Sequence, residues 1–184
     1  MSITNSKRTM EKRRHILDAA RNLILRNGLR GTTMEAIAKE ARVAKPTLYK
    51  HFSDKDAVFS AILSDLAVAK SRAFKEGFEE AGDIRKRVAG GLAKKFGLVA
   101  EVLEASPHAN ELIGAHHRMA RPLRVVDEAI AEQIAEALQE AGFSEAQRLT
   151  EVILAACSGI LSTFQTAAAV REAVTMLCLQ MLKK

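Results

Sequence analysis

Apolar residues recur at helical spacing along almost the whole of this chain. Ile16, Ala20, Leu23 and Ile24 share one face of a first helix that begins near Met10. Asn27-Gly28 should end it, because glycine tolerates the left-handed conformation that follows a helix. Met34, Ile37, Ala38 and Ala41 predict a short second helix. Thr32 and Glu35 have the spacing of a capping box, although either Thr32 or Thr33 could supply the cap. Arg42-Val43 fits a turn, and Pro46 suits the first turn of a third helix, where no backbone N–H is needed. Leu48 and Phe52 lie about one turn apart on that helix and make a single apolar stripe. Ser53 and Asp56 form a further capping box, opening a long helix through Val58, Phe59, Ile62, Leu63 and Leu66 to Gly77 or Gly82.

The remainder is helical by the same criterion. Ile84, Val88, Leu92, Phe96, Val99 and Leu103 mark one helix, which Ser106-Pro107 should stop. A short segment near 109–119 follows, and Arg121-Pro122 predicts another break. Val126, Ile130, Ile134 and Leu138 mark the next helix, with Gly142 as its stop. Ser144 and Gln147 make a capping box for a helix running to about Ala169. Val174, Leu177, Cys178 and Met181 mark the last. No strand-like alternation, internal repeat or low-complexity tract interrupts this order. The expected fold is all-α: a three-helix head joined by a long helix to a larger helical body.

Charge sharpens the division. Residues 1–56 carry 13 Lys/Arg against 6 Asp/Glu, a net of +7, whereas residues 57–184 carry 15 against 16, a net of −1. A basic module on a neutral one suggests a polyanion-binding head. The expected domains are a flexible basic arm at 1–9, a DNA-binding head at 10–56 and a helical body at 57–184. Lys7, Arg8, Lys12, Arg13 and Arg14 could reach DNA, although a solvated basic tail has the same composition. The two cysteines, Cys157 and Cys178, sit in apolar surroundings and suit buried thiols of a reducing compartment. The uncharged run 152–170 is interspersed with Ser, Thr and Gln, which fits a buried helix better than a membrane span. A cytoplasmic protein without a membrane partner is expected.

The third helix carries the chemistry. Around its apolar stripe stand Lys45, Thr47, Tyr49, Lys50 and His51, all donors to phosphate or base edges. Short helix, tight turn and short basic helix make a helix-turn-helix, whose last helix suits the major groove. Lys55, at the start of the long helix, meets the positive end of its dipole and would be relieved by a bound anion. The run Thr32-Thr33-Met34-Glu35-Ala36-Ile37-Ala38, then Val43 to Phe52 with its Thr47-Leu48-Tyr49 core, then Lys55, resembles the head of TetR-family transcriptional regulators over about residues 10–63.

That resemblance implies a homodimer on a palindromic DNA operator, with a body that senses a small-molecule effector. By matching positions, Lys45, Pro46 and Thr47 would face bases, and Thr33, Tyr49, His51 and Lys55 would hold phosphates. Ala44 stands where the family often has a serine cap, and Arg42 where it often has glycine. Glu35 sits near a position that can touch bases in this family, but its spacing to Thr32 favours a capping role.

In the family the last two long helices usually form the dimer interface. Here that points to Val152, Ala155, Ala156, Gly159, Ile160, Thr163, Val174 and Leu177, with small side chains allowing close approach. A helix central to the monomer is the competing reading. Pocket candidates on the central helices are Phe74, Phe78, Phe96, Val99 and Leu103, followed by Ile113, His116, Met119 and Phe164. The same residues would fill a plain core. Their character favours a largely apolar ligand. His108, His116 and His117 do not form a metal set, since adjacent helical residues diverge by about 100° and no acid or cysteine completes it. No Gly-rich phosphate loop or nucleophile elbow is present, so the sequence calls for no metal, no cofactor and no enzymatic activity. The expected function is a DNA-binding regulator, a repressor released by its ligand; the alternative is a constitutive or architectural DNA-binding dimer without an effector.

Overall fold

The computed structural model describes residues 3–109, 111–112 and 121–183. Eight helices are found among them, and no strand. In chain order they are α1 (Ile3–Asn27), α2 (Met34–Glu40), α3 (Lys45–His51), α4 (Lys55–Phe78), α5 (Ile84–Glu104), α6 (Arg121–Glu140), α7 (Ala146–Thr163) and α8 (Ala167–Met181). The chain divides into two compact units, one of residues 1–65 with 105–120, the other of 66–104 with 121–184. The boundary expected after residue 56 therefore falls inside α4. Helix α1 starts at Ile3, within the segment expected to be a flexible arm, because nothing in its polar sequence breaks a helix.

The first unit is built on the buried faces of its short helices. Ile16, Ala20 and Ile24 of α1 pack in one core with Ile37 and Ala38 of α2 and Leu48 of α3; Val58 and Phe59 of α4 are equally buried. Gly28, at φ 74°, ends α1 as its sequence requires. The loop to α2 is held from within. Thr32, fully buried, donates its hydroxyl to Gly28 O at 2.7 Å, so it cannot be the helix cap. Thr33 is the cap: its Oγ1 accepts from Ala36 N at 3.1 Å. The residues after α5 return to this unit, where Ser106 Oγ donates to Leu25 O at 2.7 Å and Glu111 Oε1 accepts from Arg30 N at 2.8 Å. Of the expected boxes, that of Ser53 and Asp56 also shifts by one residue: Asp54 Oδ1 accepts from Ala57 N at 2.7 Å, and Ser53 only donates to Asp54.

The second unit pairs α5 with α8 and α6 with α7 around Phe74, Leu92, Phe96, Ile134, Leu138, Ile153 and Val170. Helices α4 and α5 meet through glycine: a Cβ on Gly77 would lie 2.3 Å from Gly90 O. Pro122 lies in the first turn of α6 rather than ending a segment before it, a position where proline costs nothing. Gly142, at φ 79°, closes α6, with Phe143 N donating to Leu138 O at 3.0 Å. The expected box at Ser144 and Gln147 is absent; Glu145 precedes α7 at φ 56° without a side-chain cap. Helix α7 stops at Thr163, not near Ala169, and Thr166 caps α8 by accepting from Ala169 N at 3.2 Å. Cys157 and Cys178 are free and fully buried. Among the described residues no helix is long and apolar enough to cross a membrane.

This core contains charge. Lys70 of α4 and Lys95 of α5 are 5% and 3% exposed, and both place Nζ 2.9 Å from Asp127 Oδ1 of α6. Lys70 also donates to Oδ2 at 2.9 Å, while Oδ1 receives no well-directed hydrogen bond. Burial, then the neighbouring Lys95, lowers the Lys70 pKa. Burial pushes Asp127 up, but Lys95 and then Lys70 hold it below the ordinary aspartate value. A lysine with a depressed folded-state pKa binds fewer protons folded than unfolded between those two values, so stability rises with pH across that window toward 10.5. Lys70→Met leaves one cation on one anion; it should leave stability unchanged or raise it, and flatten that rise. Asp127→Asn strands two cations and should cost about 2–3 kcal/mol, the low side for a buried pair because water reaches the carboxylate. Urea unfolding at several pH values checks both.

Candidate nucleic-acid interface

The turn between α2 and α3 sets the geometry of the exposed surface. Val43 N donates to Ala38 O at 3.0 Å and Arg42 N to Lys39 O at 3.1 Å, the paired bonds of a Schellman ending. That ending needs a left-handed residue, and Arg42 supplies it at φ 50°. The position explains why glycine would be easier there, and it leaves the Arg42 side chain exposed. Helix α3 then starts from Ala44, which offers no side-chain cap, with Pro46 in the first turn.

Burial decides which way α3 faces. Leu48 is 0% and Phe52 4% exposed, so the stripe between them is fixed in the core. Lys45, Pro46, Tyr49 and Lys50 are consequently exposed, with Thr47 and His51 partly so. The three expected base-reading residues thus share the outer start of α3. Thr33 and Tyr49 are also exposed, and each keeps a hydroxyl proton to donate.

Lys55 differs from the expectation. It stands at the start of α4 but is partly buried, and its Nζ donates to Leu29 O at 2.8 Å, bracing the α1–α2 loop. Asp54, not an outside anion, faces the helix N-terminus, and its carboxyl is held below the usual range by the Ala57 N–H and then the Ser53 hydroxyl.

Two features add to the sequence reading. Glu35 does not complete a capping box; its carboxylate pairs with Lys45 Nζ at 3.2 Å across the α2–α3 angle. Its own backbone N–H, then Lys45, holds it ionised below the ordinary range. The Lys45 ammonium at the outer start of α3 is therefore already engaged by an acid on the same surface. The second feature is the basic end of α1. Arg13 lies over the Phe52 ring, 5.0 Å from its centre. His51 has its pKa lowered by burial and then by Lys12, Lys50 and Arg13. At neutral pH its ring is uncharged, and the positive field around it comes from α1 as much as from α3. The sequence offered this basic run as able to reach DNA; its placement beside Phe52 and His51 is what the structure adds.

Elsewhere the candidates scatter. Phe74 and Phe78 are buried and stack with ring centres 5.1 Å apart; Phe96 is buried, and Val99 and Leu103 are partly so. Phe164 is 44% exposed at the end of α7, which removes it from the interior of its unit. Ile113, His116 and Met119 lie outside the described residues. Of the interface candidates, Val152, Ala155, Gly159 and Thr163 are exposed along α7, and Ala156, Ile160 and Leu177 are partly buried. Val174 is 0% exposed within its own unit and is unavailable to a partner.

Comparison with known proteins agrees with this geometry. Residues 16–62 match the model of the bacterial regulatory proteins of the tetR family. The chain is 39% identical over 62 residues to the HTH-type transcriptional regulator AcrR of Shigella flexneri, covering 34% of this chain and 29% of that protein. It is 33% identical over 95 residues to the HTH-type transcriptional regulator UidR of Escherichia coli K12, covering 50% and 48%. These matches span less than half the length of either relative. In overall fold the chain is similar to a TetR/AcrR-family transcriptional regulator from Thermobifida fusca, with a TM-score of 0.69, 20% identity and coverage of 95% and 100%.

Releasing Lys45 from Glu35 should show in binding. Glu35→Gln should raise affinity for duplex DNA by about tenfold at low salt, with a gain that shrinks as salt rises. Fluorescence anisotropy over a salt series checks it; unchanged affinity would mean that this ion pair does not border the DNA.

Proposed function

We propose that the chain, whose residues 16–62 match the tetR family of bacterial regulatory proteins, is a sequence-specific, DNA-binding transcriptional regulator of that family. The observation that carries this reading is the exposed, donor-rich start of α3, held outward by the burial of Leu48 and Phe52. Lys45 can donate to guanine O6 and N7, and Pro46 and the Thr47 methyl can touch a thymine methyl. Thr33, Tyr49 and His51, joined by Lys12 and Arg13, hold phosphates; Lys55 contributes chiefly by bracing the loop.

The protein acts as a homodimer, so two heads meet a palindrome. The exposed line of α7, with Val152 46% and Phe164 44% exposed, supplies the apolar surface that a second copy covers. A Cβ on Gly159 would meet nothing within 4 Å, which suits close approach of a partner helix. It is a cytoplasmic repressor: a small ligand held by the second unit favours a dimer whose heads no longer match the operator, and DNA is released.

Two results test this. Sheared genomic DNA captured by the purified protein should give a few sites that share an inverted repeat; even recovery across the genome would instead indicate an architectural protein. Gly159→Arg should sediment as a monomer and lose about a hundredfold in affinity for the captured sites, because each head then binds alone. A Gly159→Arg dimer with unchanged affinity would place the interface elsewhere.

A further inference from the structure

The charge inside the second unit does not balance. Lys70 and Lys95 are both almost wholly removed from water, and among the described residues Asp127 is the only carboxylate in ion-pair contact with either. Each ammonium desolvated this way costs several kcal/mol unless an anion meets it. One carboxylate between two ammoniums leaves a positive charge over, and their hydrogen-bond donors outnumber what it accepts. The geometry adds to this: Asp127 Oδ1 lies 2.9 Å from both nitrogens yet takes no well-directed hydrogen bond. Ammonium hydrogens that are not well directed at the one carboxylate are left for a second acceptor.

The surroundings are apolar. Lys70 lies one turn from Phe74 on α4, and Lys95 one turn from Leu92 on α5, with its Nζ 4.6 Å from the Phe96 ring centre. Asp127 sits one turn from Leu123 and Ile130 on α6. The carboxylate edge of the cluster is the part that water reaches.

We propose that Lys70 and Lys95 are the anion-binding end of the effector site, and that the ligand is a monocarboxylate with an apolar body. This rests on the reading of the second unit as effector-binding, and gives the ligand a charged end that a purely apolar one would lack. One negative charge completes the balance. A phosphate monoester carries nearly two at neutral pH and would overshoot it. Binding leaves every covalent bond in place: the ligand carboxylate accepts the hydrogens that Asp127 leaves unused.

The test is calorimetric titration of the full chain, without DNA, with decanoate, decanol and decyl phosphate. Decanoate should saturate at one per chain and bind about tenfold or more tightly than decanol, as charge-assisted hydrogen bonds require. Lys70→Met and Lys95→Met, checked for folding by circular dichroism, should each abolish that preference. Equal binding of decanoate and decanol, or a preference that survives in both folded variants, overturns the proposal. Tighter binding of decyl phosphate overturns the monocarboxylate assignment. So does a thiolate at Cys157, whose charged form the Cys178 hydrogen bond and then Lys95 favour, seen as ultraviolet absorbance lost in Cys157→Ala. Decanoate bound through the lysines without weakening DNA binding would support this site and sink the effector reading. Release of DNA by an uncharged ligand alone would do the reverse.

Discussion

The burial of Leu48 and Phe52 is the constraint on which the rest of the interface depends. Helix α3 has only seven residues, too few to be stable alone in water. It exists because its apolar stripe is held in the head's core, where burying a leucine contributes about 2 kcal/mol. With that stripe fixed, the outward direction of Lys45, Pro46, Thr47 and Tyr49 follows from helix geometry. The Schellman turn at Arg42 sets where α3 begins, and Thr33 caps the helix before it. The exposed, donor-rich face is thus a by-product of core packing one side chain away.

Electrostatics works differently in the two units. On the head's surface the charges are solvated and replaceable. The Lys45–Glu35 pair can open when a base or phosphate competes, since exposed ion pairs contribute little. The His51 pKa is lowered first by burial and then by the cations around it, a field that a polyanion would relieve. Inside the second unit the opposite holds. Lys70 and Lys95 are shielded from water, which reaches only the Asp127 side of the cluster, so the two ammoniums cannot exchange partners freely.

The sequence revealed what local signals encode. Pro46, the Leu48–Phe52 spacing and Gly28 and Gly142 placed helices and their ends within a residue or two. Caps were missed where a tertiary contact decided between neighbours: Thr32 is diverted to Gly28 O, leaving Thr33 to cap α2. Lys55 looked free because its partner, Leu29 O, is remote in sequence. The break at Phe164 carries no glycine or proline, and its one local mark is Thr166. Lys70 and Lys95 each resemble an ordinary solvated lysine on a helix until three helices bring them to one carboxylate. Val174 was assigned to the wrong face because α8 is apolar on more than one side.

The central proposal is that α3 reads bases through the face that Leu48 and Phe52 leave exposed. The most direct measurement is selection of bound duplexes from a random-sequence pool, run side by side with the wild-type protein and Lys45→Ala. The wild type is expected to give an inverted-repeat consensus, and the variant the same repeat with lost preference at one base pair in each half-site. An identical consensus from both proteins would contradict it, since the residue placed first on the outward face would then carry no sequence information.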